Sequence, residues 1–357
     1  MRTSTALVCF LAAVSAFPAG SENVERRTPT SFERAQAILR GKQLDDTFNA
    51  TEQYITTANE HRFIAPRSGD LRGPCPFLNA AANHGWIDRS GYTTGYEVVA
   101  AAVNVFGMGK DLAMFLTSYA AIVYGDMTSF SIGGRPTQAQ AATFAGQHTL
   151  GAGLANSHNM FEGDVSPIAA DRDERTKPAE ATLKHFQQLL GLHPQSPNAN
   201  YDIPTLTDFR GLRHNDSVTT NKKHFNSPFS GLVMQAFVYS SMYRLFANHS
   251  EHDPAGFLDQ DTLKSFYAIT TDEQGRLQWI PGHERIPDNW YRRSRSSPYD
   301  NHFFLNDALY QASRHPEFFR IGGNVDGYTN RVRPVDVKVM TNGVYRASTL
   351  HQDWNFA

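Results

Sequence analysis

Along Lys110–Tyr124 the apolar positions Leu112, Phe115, Leu116, Tyr119, Ala120 and Val123 recur at intervals of three and four, which predicts a helix. Just before it, Thr93 or Thr94 is placed to cap a helix over Tyr96–Phe106. Similar patterns predict helices at Pro178–Leu190, Thr205–Arg213, Ser230–Phe246, Asp261–Tyr267 and Phe304–Ala312. Continuous period-two alternation is nearly absent, and only short pieces such as Val335–Met340 read as strand. The pattern therefore describes a mostly α-helical single domain with long irregular connections. Stretches such as Asn215–Pro228 and Thr270–Tyr299 are long for loops in a compact fold, which implies ordering by packing or by function.

The ends differ from the middle. Met1-Arg2, the apolar run Ala6–Ala16 and the small residues Val14-Ser15-Ala16 read as a secretory signal peptide over residues 1–16. Residues 17–66 are polar and form an N-terminal arm with one amphipathic helix at Ser31–Leu39. The main domain is expected over 67–330 and a C-terminal extension over 331–357. No later run is apolar for the ~18 residues that a membrane span needs. Sequons at Asn49, Asn215 and Asn248 agree with a secreted protein. The formal net charge of -2 gives no electrostatic case for nucleic acid or an anionic membrane. Aromatic residues at 12% suit an apolar cofactor pocket, and a large core equally well.

Cysteine usage narrows the chemistry. The chain has two cysteines, and Cys9 lies in the leader, so Cys75 is the sole thiol of the mature sequence. It stands in Gly73-Pro74-Cys75-Pro76-Phe77-Leu78-Asn79, where Pro76 suits the first turn of a helix running on through Ala82. A sulfur at a helix start faces free N–H groups and the positive dipole end, which favour thiolate. A buried structural cysteine is the bland alternative. A second cluster, Ser157-His158-Asn159-Met160-Phe161-Glu162-Gly163-Asp164-Val165-Ser166, offers two carboxylates, a turning glycine and a hydroxyl. Such oxygen density suits a hard divalent cation, and an ordinary acidic loop is the alternative.

Together, Pro-Cys-Pro opening a helix and Glu-Gly-Asp-x-Ser placed 87 residues later resemble the fungal heme-thiolate peroxidases, the chloroperoxidase and unspecific peroxygenase family. Ala82-Asn83-His84-Gly85, Ser131-Ile132-Gly133 and His158 four residues before Glu162 add to the likeness, which runs from about Arg67 to Phe246 and more thinly to Arg292. The resemblance implies a helical heme-thiolate domain with heme b held by Cys75 as axial ligand. It also implies magnesium on Glu162, the Gly163 carbonyl and Ser166, and Phe161 facing the distal pocket. Asp164 lies in the same motif with its role open. Hydrogen peroxide and a small organic substrate would be the partners.

One feature departs from the family. Its members carry an acid–base glutamate on a helix over the distal face, whereas Ser230–Phe246 has no Glu, Asp or His. The best register sets Gln235 and Met242 at the family's arginine and glutamate positions; a shift of one offers Ser241 in place of Met242. A protein without that glutamate could still bind heme and react slowly with peroxide, or could use Gln235, Tyr239, a substrate group or ordered water to move the proton, while Tyr239 and Met242 also read as plain core. The expected function is a secreted peroxidase or peroxygenase, suited to a narrow biosynthetic role. The alternative is a heme-binding relative without efficient turnover, a binding protein or isomerase. A second acidic triplet, Glu251-His252-Asp253, reads as a solvated loop.

Overall fold

The computed structural model describes residues 47–137, 139–140, 151–171, 177–193, 196 and 198–324. The expected signal peptide, the Ser31–Leu39 helix, the Val335–Met340 strand and the 331–357 extension lie outside these residues. Helices dominate: α1 (Ala50–Gln53), α2 (Pro76–Asn83), α3 (Gly95–Asn104), α4 (Lys110–Tyr124), α5 (Pro178–Leu190), α6 (Ile203–Thr220), α7 (Gln235–Phe246), α8 (Gln260–Phe266) and α9 (Asn301–Arg314). Among the described residues no helix is long and apolar enough to cross a membrane.

Local chemistry accounts for the boundaries. Pro76 opens α2, where a missing N–H costs nothing, and Gly85 at φ +68° closes it. Thr94 and Glu97 form a reciprocal capping box on α3. α6 is longer than its apolar pattern, beginning at Ile203 because Asp202 caps the Thr205 N–H. It continues through the stretch expected to be loop, as far as Thr220, because this helix buries polar groups. Arg210, Arg213, His214 and Ser217 all point inward. A period-based reading cannot detect such a face.

The strands are three two-stranded ribbons, β1 (Tyr92–Thr94) with β2 (Ser129–Ser131), β3 (Phe225–Asn226) with β6 (Gly322–Gly323), and β4 (Ile269–Thr271) with β5 (Leu277–Trp279). Two or three residues are too few to show alternation. β4 and β5 supply the only regular structure in the 270–299 connection among the described residues. The preceding segment 47–66 is packed down. Gln53 is 1% exposed and donates to the Arg292 carbonyl at 2.8 Å, and Ile55 N–H donates to the Trp290 carbonyl.

α7 runs through the middle, against α6 and α9 on one flank and α8 on another. Its last residue, Phe246, stacks on Phe266 of α8 with centroids 4.2 Å apart, and Trp290 Nε1 donates to the Phe246 carbonyl. This aromatic block and the apolar face of α2 form the floor under a cavity.

Candidate active site

Cys75 is the N-cap residue of α2, and its position is set from both sides. Asn79, one turn later, donates to the Gly73 carbonyl at 2.8 Å and accepts from the Gly73 N–H at 3.0 Å. Both bonds tie the loop that precedes the cysteine to the helix that follows it. Gly73 has no room for a side chain, because a Cβ there would lie 1.8 Å from the Ile132 carbonyl oxygen. Cys75 lines the cavity. Burial pushes the Cys75 thiol up to about 11, while the N–H groups of Leu78 and Phe77 pull it back. The helix-start effect expected from the sequence is present, and desolvation outweighs it. A metal cation replacing the proton supplies the charge that burial withholds.

The cavity, its open mouth included, holds about 1120 Å³. α2 supplies one wall, with Cys75, Phe77 and Leu78. α7 lends Gln235, Val238, Ser241 and Met242 to the lining. α3 and α4 complete it with apolar side chains. Met242 and Ser241 both reach the lining, so either register of the sequence reading places an uncharged side chain there. Tyr239 lies elsewhere, fully buried, with its hydroxyl donating to the Val165 carbonyl at 3.0 Å.

Glu162, Gly163 and Ser166 line the same cavity, together with Phe161. The Phe161 ring lies 5.9 Å from Tyr119 and 6.3 Å from Phe229, which themselves stack at 3.9 Å. The acidic loop is tightly held. Glu162 Oε2 lies 2.8 Å from His158 Nδ1, and Asp164 Oδ1 lies 3.5 Å from Nε2 of the same ring. Asp164 also accepts the Phe225 N–H. Gln235 Nε2 donates to the Asp164 and Gly163 carbonyls at 2.8 and 3.3 Å. Gln235 is thus a clamp on the loop, with Oε1 left buried and without a hydrogen-bond partner among the described residues.

Several of these supports carried no signal in the sequence. Asp171 accepts the Val165 N–H at 3.0 Å, and Arg213 Nε reaches the Ser166 carbonyl at 3.3 Å. Asp171 precedes a charged run that resembles any solvated face, and Arg213 is separated from the loop by 47 residues. Asn79 was visible within the cysteine motif, but its partner Gly73 shows only in three dimensions. Glu251, His252 and Asp253 are exposed, as expected for a solvated loop.

Cys75 at the start of α2 and Glu162, Gly163 and Ser166 of the acidic loop thus line one cavity. Residues 61–295 match the sequence profile described as "Peroxidase, family 2". The chain belongs to this family. Family 2 peroxidases are heme-thiolate enzymes, and this one is a peroxide-dependent oxidoreductase. The family match reaches from α2 back to residue 61 and forward past Trp290.

Among its relatives is the dothistromin biosynthesis peroxidase dotB of Dothistroma septosporum, 36% identical over 98% of this chain and 81% of that protein. The aromatic peroxidase fscJ of Fusarium equiseti is 34% identical over 85% of this chain and 70% of its own length. An aromatic peroxygenase of Coprinellus radians is 32% identical over 51% of this chain and 70% of that protein. These relatives favour the enzyme over a heme-binding protein without turnover. The mostly helical fold agrees with the family.

Proposed function

We propose that this peroxidase binds heme b through Cys75 and uses hydrogen peroxide to oxidise or oxygenate an apolar, ring-bearing substrate in a fungal secondary-metabolite pathway. The observation that carries the reading is the position of Cys75 in the wall of a mainly apolar cavity. Bound there, heme supplies an iron centre whose thiolate ligand favours cleavage of the peroxide O–O bond. The biosynthetic setting rests on the name of the relative dotB, matched over 98% of this chain.

The chain's own residues divide the remaining work. Cys75 holds the iron and Asn79 fixes the loop that presents it. Phe161, with Tyr119 and Phe229 behind it, offers flat apolar surface to a substrate ring. α7 contributes no carboxylate, so proton movement near that wall falls to the substrate, to water, or to a relay oriented by Gln235 Oε1. Glu162, the Gly163 carbonyl and Ser166 form a hard oxygen set for Mg²⁺. In the structure Glu162 is engaged by His158 and the Gly163 carbonyl by Gln235, so these are the groups that would hold the ion's ligands in place. Secretion is part of the same reading, supported by the character of residues 1–16 and by exposed sequon asparagines at 49 and 215. Asn49 and Asn248 each also accept a main-chain N–H, from Glu52 and Tyr291.

The test is the reduced, CO-bound spectrum of the purified protein, with peroxide consumption measured beside it. A thiolate-type band that Cys75→Ala abolishes is the expected result. A histidine-type band in the wild type overturns the assignment.

A further inference from the structure

Every carbonyl of residues 163–166 in the acidic loop accepts a hydrogen bond from a side chain of α6 or α7. Gln235 serves Gly163 and Asp164, Tyr239 serves Val165 at 3.0 Å, and Arg213 serves Ser166 at 3.3 Å. At the centre stands Val165, 3% exposed, with φ at +66°. A β-branched residue at positive φ is rare, and persists only where its surroundings enforce it. Here they do. Asp171 Oδ1 accepts the Val165 N–H at 3.0 Å while the Tyr239 hydroxyl holds the Val165 carbonyl, so both ends of the residue are fixed. Asp171 is fixed in its turn. Its second oxygen accepts from Ser217, whose hydroxyl also meets His224 Nδ1 at 2.7 Å, and Arg213 Nη2 lies 3.6 Å from Oδ1.

This turn decides which side chains reach the cavity. Glu162, Gly163 and Ser166 line it, whereas Asp164 and Val165 between them are buried and form no part of its wall. We propose that Asp171 and Tyr239 are positioning residues that lock Val165 in its left-handed turn, hold Ser166 beside Glu162 and Gly163, and so set the affinity of this oxygen set for a divalent cation. The assignment rests on the reading of Glu162, the Gly163 carbonyl and Ser166 as cation ligands. A valine released from its hydrogen bonds relaxes to negative φ, which redirects the chain after Asp164 and carries Ser166 away from its two companions. A glycine at 165 keeps the turn without help, since it populates positive φ about as readily as negative. Partners of this outer kind orient metal ligands in general.

The experiment is Mn²⁺ binding to the chelator-treated holoenzyme, with free Mn²⁺ read by electron paramagnetic resonance and the melting temperature measured beside it. Glu162→Gln gives the background from the rest of the surface. Asp171→Ala is expected to weaken Mn²⁺ binding about tenfold or more. Asp171→Asn, which keeps an oxygen for the Val165 N–H, is expected to stay within about threefold of wild type. Adding Val165→Gly to Asp171→Ala is expected to restore most of the affinity but not the melting temperature, because a buried side chain is lost as well. A merely structural role for Asp171 ties the two readouts together, with affinity staying low while stability is low. Wild-type affinity in Asp171→Ala, or no recovery with the glycine, overturns the proposal. Should Asp171→Ala not fold, Tyr239→Phe takes its place, since it removes only the hydroxyl on the Val165 carbonyl. Its affinity must fall and be recovered by Val165→Gly, and an unchanged affinity overturns the proposal. A wild type that binds Mn²⁺ no better than Glu162→Gln defeats the cation reading beneath, and the role of Asp171 and Tyr239 with it.

Discussion

Gln235 on α7 donates its side-chain amide to the carbonyl of Asp164 at 2.8 Å, joining the helix over the cavity to the acidic loop 71 residues earlier. The Gly163 carbonyl shares that donor at 3.3 Å. Removing the amide leaves two buried carbonyls short of a donor, at a cost of about 1–3 kcal/mol for an unsatisfied group. Gln235→Leu is therefore expected to lower the melting temperature by several degrees and to slow peroxide consumption. The CO spectrum should not change, because the thiol side is untouched. An unchanged melting temperature shows that the clamp carries no weight.

Gly73 makes a second, sharper prediction. The Cβ of Gly73→Ala would sit 1.8 Å from the Ile132 oxygen and 2.8 Å from its carbonyl carbon, both main-chain atoms that no rotamer change relieves. The loop or strand β2 must shift, and the cysteine shifts with the loop. Heme content per mole of purified protein is expected to fall by more than half. Gly134→Ala is the control, since a Cβ there meets nothing within 4 Å. Equal heme content in the two variants contradicts the proposed rigidity.

Much of this arrangement is legible in the sequence, and the reasons for the gaps are physical. Local signals succeed where the chemistry is local: Pro76 at a helix start, the Thr94 and Glu97 box, and the apolar beat of α4 are visible without coordinates. α6 defeats the same reading because its buried face includes Arg210, Arg213, His214 and Ser217, and Arg210, Arg213 and Ser217 find partners far off in the chain, at Gln311, the Ser166 carbonyl and Asp171, across separations that periodicity ignores. Cys75 and Glu162 stand out because few residue types suit their chemistry. Asp171 does not stand out, since a carboxylate in an irregular stretch looks solvated until its surroundings are known.

The uncharged lining of α7 is open to repair. Met242 is 1% exposed and faces the cavity. Positioned acid–base groups supply about 10²–10⁴-fold in rate. Met242→Glu is expected to speed peroxide consumption in stopped-flow mixing, toward the lower end of that range because the geometry is not tuned to the new carboxyl. Its environment is apolar, so the gain should appear together with reduced thermal stability. A wild type already as fast as glutamate-bearing relatives, and unaffected by the change, shows that another group performs the task.

Stability should follow pH in a defined sense. Burial is the first cause that lowers His84, His224 and His249 to about 4 and His214 to about 3. An unfolded histidine takes up its proton near pH 6.5, so between about 6.5 and 4 the unfolded chain binds more protons than the folded one. Stability is lost as pH falls through that window. Glu284 works oppositely, because burial raises its folded value to about 7, above the ordinary carboxylate range, and its contribution is lost as pH rises through 7. The melting temperature is expected to peak between about pH 6 and 7 and to fall toward about pH 4. A flat profile over that acid range contradicts the neutral burial of the four histidines.

α7 is entered through a π-helical turn, Ser230–Met234, packed so closely on the acidic loop that a Cβ on Gly163 would lie 2.0 Å from Ser230 Oγ. A π turn holds one residue more than an α turn spanning the same length of axis. Taking one residue out of 230–234 and letting the turn revert to α geometry therefore need not rotate the rest of α7. Deleting a residue after Met234, with the π turn kept, advances the following side chains by about 100° around the axis. Two deletions of equal size, a few positions apart, thus have opposite meanings for the cavity. The first preserves the wall formed by Val238, Ser241 and Met242, and the second presents the substrate with a different wall made from the same helix.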